Sequence, residues 1–184
     1  MIKITNTKLK GCYEIIYKSY SDKRGNFQEL YNSNKYFKIC KIPFVQDNLS
    51  RSKKNVLRGL HFQLNFPQAK LISVTKGKIF DVAVDLRINS KTFGMWHGVV
   101  LSEFNKKQLY IPEKFAHGFL VLSNHAEVVY KCTKFYNKND EATLIWNDKK
   151  VNIKWPIKDF SQIIISKKDC KGIDLENTIN LKKL

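Results

Sequence analysis

Arginine, histidine and lysine gather in one stretch of the chain. Arg58 and His61 lie inside Lys54-Asn-Val-Leu-Arg-Gly-Leu-His-Phe-Gln63, and Lys70 opens an alternating run soon after. Arginine and lysine bind anions, and histidine takes up and gives back protons near neutral pH. On adjacent strands of one barrel, with their faces in agreement, the three would converge in its lumen and form a site. The same residues also read as two rim charges and a satisfied core histidine, and spacing leaves both readings open. The preceding segment, Phe44-Val-Gln-Asp-Asn48, adds two side-chain amides at Gln46 and Asn48.

Small β-barrels often hold a metal through several histidines and a carboxylate. Here His61 is followed by Phe62 and Gln63, so there is no His-x-His pair, and His97, His117 and His125 are too scattered to rebuild one. We expect no metal and no cofactor. His117, in Phe115-Ala-His-Gly-Phe119, reads as a turn into an apolar strand, either structural or reaching the site. Cys12, Cys40, Cys132 and Cys170 lie far apart with no C-x-x-C pair, and we expect free buried thiols.

Period-two alternation marks the elements that must position these groups. From Lys78 to Arg87, Phe80, Val82, Val84 and Leu86 fall on one face and Asp81, Ala83 and Asp85 on the other, which predicts a strand with one apolar face. Similar runs lie at Lys70 to Thr75, Trp96 to Ser102, Gln108 to Ile111, Gly118 to Leu122 and Glu127 to Thr133. Turn chemistry such as Lys76-Gly77-Lys78 and Ser123-Asn124 bounds them. Gly11 to Tyr17 and Gly25 to Tyr31 add further strands. After Trp155-Pro156 the tail reads as partly helical around Ser166-Lys-Lys-Asp169, with Ser166 as an N-cap. Many short strands with tight turns predict an all-β sandwich or jelly-roll barrel.

The chain has 184 residues, a length that suits one domain, and no Gly-, Ser- or Pro-rich linker divides it, so residues 1–184 are read as a single unit. With 43% hydrophobic and 12% aromatic residues it has ordinary globular composition, which argues against disorder. The first residues lack the apolar centre of a signal peptide, and no run approaches the roughly 18 apolar residues of a membrane span, so a cytoplasmic protein is expected. The formal net charge of +17 would draw nucleic acid, an anionic membrane or a phosphorylated small molecule alike. The lysines are spread along the chain, and Lys53-Lys54, Lys106-Lys107 and Lys182-Lys183 read as solvated turns.

The ordered segments Arg24-Gly-Asn-Phe-Gln-Glu29, Phe44-Val-Gln-Asp-Asn48, Ser52-Lys-Lys-Asn-Val-Leu-Arg-Gly-Leu-His-Phe-Gln63, Phe80-Asp-Val-Ala-Val-Asp-Leu-Arg87, Ile111-Pro-Glu-Lys-Phe-Ala-His-Gly-Phe119, Tyr130-Lys-Cys-Thr133 and Ile145-Trp-Asn-Asp148 together resemble the dTDP-4-dehydrorhamnose 3,5-epimerase family. The resemblance is collinear from about residue 10 to about residue 170. It implies a homodimeric, metal-free jelly-roll of the cupin type, acting on a nucleotide-diphosphate sugar with a ketone at C4. Neither nucleic acid nor membrane is an expected partner.

The resemblance also implies roles. His61 is the base, and Asp169 fixes its tautomer and steadies the imidazolium. Lys70 stands beside the C4 oxygen, where an ammonium favours the enolate over the ketone. Tyr130 is the acid on the opposite ring face. Arg58, with Gln46 and Asn48, holds the diphosphate. Arg24, Phe27 and Glu29 reach the nucleotide of the neighbouring subunit, Tyr136 stacks on the base, and His117 is a further substrate contact. Asn26, Gln28 and the stretch Leu64-Asn-Phe-Pro-Gln-Ala69 depart from the pattern near the expected nucleotide and sugar contacts.

The leading expectation is inversion of C3 and C5 of a dTDP-linked 4-keto-6-deoxy sugar. A relative acting at one carbon, or on a GDP-linked 4-keto-heptose for surface polysaccharide, is the rival within the same chemistry. A ketoisomerase would lose the acid tyrosine, so Tyr130 discriminates against it. A basic module that binds sugar nucleotide or nucleic acid without chemistry is the alternative from another class.

Overall fold

Alternating side chains turn to opposite faces of a sheet, and the runs that alternate form strands. The computed structural model describes residues 2–181, so the 182–183 lysine pair lies outside the described residues. The chain runs through β1 (Lys3–Asn6), β2 (Tyr13–Ile16), β3 (Ser19–Asp22), β4 (Gly25–Gln28), α1 (Ser33–Tyr36), β5 (Gln46–Lys53), β6 (Leu57–Gln63) and β7 (Lys70–Lys76). It continues through β8 (Lys78–Asp85), β9 (Trp96–Ser102), β10 (Lys107–Ile111), β11 (Phe115–Val121), β12 (His125–Cys132), β13 (Glu141–Thr143) and α2 (Leu175–Leu181). One sheet has the order β1-β2-β10-β7-β12-β5, the second β13-β6-β11-β8-β9, and β3 pairs with β4 as a separate ribbon. All the ladders are antiparallel. The sheets pack face to face as a jelly-roll, the all-β class that the alternation predicts.

Side chains from both sheets, among them Ile72, Val74, Ile79, Val99, Phe119, Val121 and Val128, form the cluster between them. Each such side chain contributes roughly 1.5–3 kcal/mol through burial. The β8 alternation misleads in one respect: both of its faces are buried. Ile79 and Ala83 join the cluster between the sheets, while Val82, Val84 and Leu86 pack outward against Trp155 and Leu175 of the C-terminal segment. The aspartates of β8 are therefore interior groups. Asp81 meets a histidine, and Asp85 accepts from Arg87, Ser90 and Thr92 at the strand end.

Asp148 staples the C-terminal segment over this outer face. Its carboxylate accepts from the N–H groups of Lys150, Val151 and Leu175. Ser166 Oγ accepts from the Asp169 N–H at 3.1 Å, but the expected helix there is a single 3-10 turn, Asp169–Lys171, whose N-cap position is Lys168 rather than Ser166. The α-helix of the tail is α2, farther on. Near the N-terminus the expected strands are shorter, at β2 and β4, and the chain then enters α1, capped by Asn32. Cys12, Cys40 and Cys132 are free and buried as expected, whereas Cys170 is free but exposed.

Candidate active site

Residues directly opposite each other in a ladder share a face. Cys132 stands opposite both Gln46 and Lys70, and Tyr130 opposite Asn48, so β5, β7 and β12 present Gln46, Asn48, Lys70, Tyr130 and Cys132 on one face. In the facing sheet His61 stands opposite His117. Between the sheets lies a cavity of about 320 Å³ whose lining includes Gln46, Asn48, His61, Lys70, Tyr130 and Tyr136. A smaller hollow of about 100 Å³ shares His61, Lys70 and Tyr130 and adds Arg58 and His117. Eight of the sequence-derived site residues thus meet around one space.

A bulge makes this meeting possible. Arg58 and His61 are three residues apart, a spacing that puts two side chains on opposite faces of a regular strand. The register between β6 and β11 shifts between the His117↔His61 and Phe119↔Arg58 pairs, so β6 carries an extra residue and both side chains turn to the same face. Gly59 forms the bulge with φ +111°, and a Cβ there would lie 2.6 Å from both Gly118 Cα and the His117 carbonyl oxygen. Only glycine fits.

Two imidazole–carboxylate pairs face the cavity region. His61 Nε2 lies 2.8 Å from Asp169 Oδ1, and the Gly59 N–H donates to Asp169 Oδ2 at 3.1 Å. Burial works against ionisation of Asp169, but the hydrogen bonds to His61 and from the Gly59 N–H outweigh it and hold the carboxyl below the usual range. His117 Nε2 lies 2.7 Å from Asp81 Oδ1, and burial lowers the His117 pKa despite that carboxylate. His117 sits inside β11 rather than in a turn, because close packing of Gly118 on Arg58 and Gly59 lets the strand run through it. Asp81 escaped the sequence reading of the site. In the sequence it falls with Ala83 and Asp85 on what reads as the polar face of β8, which hides its burial.

Lys70 is 8% exposed, and burial pulls its pKa down against the influence of Cys132, Glu141 and Asp81. Among the described residues no carboxylate lies within ion-pair distance of its ammonium. Such a desolvated, unpaired cation is suited to an oxygen that becomes negative. Burial raises the Tyr130 pKa, so the phenol holds its proton at neutral pH. Arg58 is exposed, its Nε donating to Ser52 Oγ at 2.9 Å with the rest of the guanidinium free for an anion.

Glu141 and Lys168, also absent from the sequence reading, form an ion pair in the cavity wall, and Tyr136 donates its hydroxyl to the same Glu141 oxygen at 2.8 Å. Gln46 Oε1 accepts from the Tyr136 N–H. Three sequence-derived residues stand apart from the cavity of their own chain. Arg24 pairs with Asp22 and Phe27 is 68% exposed, both on the β3–β4 ribbon, and Glu29 pairs with Lys35 just beyond it. Among the described residues no group of three or more metal-ligating side chains comes together.

Residues 6–177 match the family model described as dTDP-4-dehydrorhamnose 3,5-epimerase. The chain is 46% identical to the dTDP-4-dehydrorhamnose 3,5-epimerase of Escherichia coli over 184 residues, covering 98% of each chain. It is 50% identical to the enzyme of that name from Shigella flexneri over 158 residues, 84% of this chain and 86% of that one. The fold matches the dTDP-6-deoxy-D-glucose-3,5-epimerase of Legionella pneumophila, solved with dTDP-4-keto-L-rhamnose, at a TM-score of 0.92 and 44% identity, over 96% of this chain and 94% of that one.

Proposed function

The chain belongs to the dTDP-4-dehydrorhamnose 3,5-epimerase family, and from that premise we propose a division of labour among its residues. The protein is an isomerase that inverts C3 and C5 of a dTDP-linked 4-keto-6-deoxy sugar. The thymidine-diphosphate names of its relatives favour this reading over a GDP-linked heptose.

A C–H bond beside a ketone ionises only by forming an enolate, so the site needs a base, a partner for the oxyanion and an acid. His61, held by Asp169, takes the proton from C5 or C3. The electrons move onto the C4 oxygen, beside the ammonium of Lys70 and the imidazole of His117. Tyr130 then gives its proton to the same carbon from the other side, and exchange with solvent resets both groups. The observation that carries this reading is the origin of the two proton carriers: His61 rises from β6 of one sheet and Tyr130 from β12 of the other, across one cavity. Inversion demands that opposition, since return of the proton to the face it left restores the starting configuration.

Arg58, Gln46 and Asn48 bind the diphosphate, and Tyr136 stacks on the base. Arg24, Phe27 and Glu29 serve the nucleotide of a second protomer in a homodimer, a reading supported by their distance from their own cavity. The whole chain acts as one catalytic domain in the cytoplasm, without metal or cofactor. Incubation with dTDP-4-keto-6-deoxyglucose in deuterated water tests the reaction, with deuterium expected at both C3 and C5 by mass. Label at one carbon only would make this a single-carbon epimerase, and no label would refute the reading.

A further inference from the structure

We infer that Gln63 is a positioning residue that locks the rim of the cavity and thereby sets the place of Tyr136. Gln63 closes the segment containing Arg58 and His61, and the reaction gives it no task. Its side chain is buried at the cavity wall, yet every one of its polar atoms is turned toward backbone. Nε2 donates to the Phe66 carbonyl at 2.7 Å and to the Phe135 carbonyl at 3.3 Å, and Oε1 accepts from the Asn137 N–H at 2.8 Å. Phe66 lies in the loop between β6 and β7, whereas Phe135 and Asn137 flank Tyr136 in the loop between β12 and β13. One amide therefore ties together two loops that are far apart in sequence and holds the residues on either side of Tyr136.

Other contacts show that the two loops form one unit. Asp140 accepts from the N–H groups of Asn65 and Phe66, and Gln68 Nε2 donates to the Lys134 carbonyl. Tyr136 itself has its N–H on Gln46 and its hydroxyl on Glu141. Its ring remains about half exposed, at 52% for the residue, as a stacking platform must. A platform fixed in advance does not have to be ordered when the nucleotide arrives, and that saving appears in affinity rather than in the chemical step. The inference rests on the reading of Tyr136 as the seat of the base.

Gln63→Leu keeps the volume of the side chain and removes all three bonds. The Kd for dTDP and the KM for the nucleotide sugar should each rise about tenfold, with kcat within about twofold of wild type. Gln108→Leu supplies the control for a merely structural role. Gln108 is an equally buried amide that bonds Ser73, Leu30 and Tyr36 away from the cavity. It should lower the melting temperature and leave Kd unchanged. Gln63→Glu should bind dTDP more tightly as the pH is lowered from 8 to 5.5, since a protonated carboxyl can again donate to a carbonyl. An unchanged Kd in Gln63→Leu, or an equal rise in Gln108→Leu, would overturn the inference. Tyr136→Ala separates the two readings. If it leaves Kd unchanged, the seat of the base lies elsewhere and the inference falls with it. If it raises Kd while Gln63→Leu does not, only the role of Gln63 falls.

Discussion

The N–H of Gly59 and the imidazole of His61 hold the two oxygens of one carboxylate, that of Asp169. The bulge that turns His61 inward is therefore also what receives its partner from the distant tail. Backbone conformation, register and the imidazole–carboxylate contact meet in one three-residue span, and each can be disturbed separately.

Gly59→Ala places a methyl group 2.6 Å from Gly118 Cα and the His117 carbonyl oxygen, on a backbone with φ +111°. We expect a loss of about 2–4 kcal/mol of stability in urea unfolding, from combined strain and steric overlap. Wild-type stability would show that the bulge relaxes freely.

Asp169→Asn keeps the size of the side chain but exchanges one acceptor for a donor next to His61. The imidazole is then free to adopt the wrong tautomer, and kcat should fall by about 10² to 10⁴, the range for losing such a partner. Folding should be preserved. A wild-type kcat would mean that Asp169 does not serve the base.

Tyr130→Phe removes the proposed acid and leaves the ring in its packing among the core side chains. Net inversion should fall by at least about tenfold while some exchange of the substrate C–H with deuterated water continues, because His61 can still take and return the proton. Loss of exchange and inversion in equal proportion would count against an acid role on the second face.

Asp85 lends acid sensitivity to the fold. Burial opposes its ionisation, but hydrogen bonds from Arg87, Thr92 and Ser90 outweigh burial and bring its pKa from 3.8 to about 2. The unfolded chain takes up this proton more readily than the native state, so the contribution is full above about pH 4 and fades as pH falls toward 2. Asp85→Asn should therefore cost about 1–3 kcal/mol at pH 7 and less at pH 3, measured by urea titration at both values. A penalty independent of pH would show that the charge on Asp85 is not what matters.

Much of this architecture could be read from alternation. The ladders at β7, β9, β10 and β12 lie within a residue or two of their expected bounds, because each strand there carries a clear period of two. Alternation failed where tertiary context decides. It places Arg58 and His61 on opposite faces, and only the bulge reconciles them. It finds one apolar face in β8, because the cover for the outer face comes from far later in the chain, around Trp155 and Leu175. Glu141 and Lys168 left no local trace, since β13 is short and Lys168 enters the wall only through the path of the tail. The short α1 was legible in principle from its Asn32 cap.

The tail has a consequence for how the molecule is made. A ribosome delivers every strand of both sheets by residue 143, but Asp169 emerges only afterwards. On the proposed reading, the carboxylate that serves the base is thus synthesised only after every strand that lines the cavity. A premature stop between those points leaves the outer apolar surface bare and an imidazole without its aide.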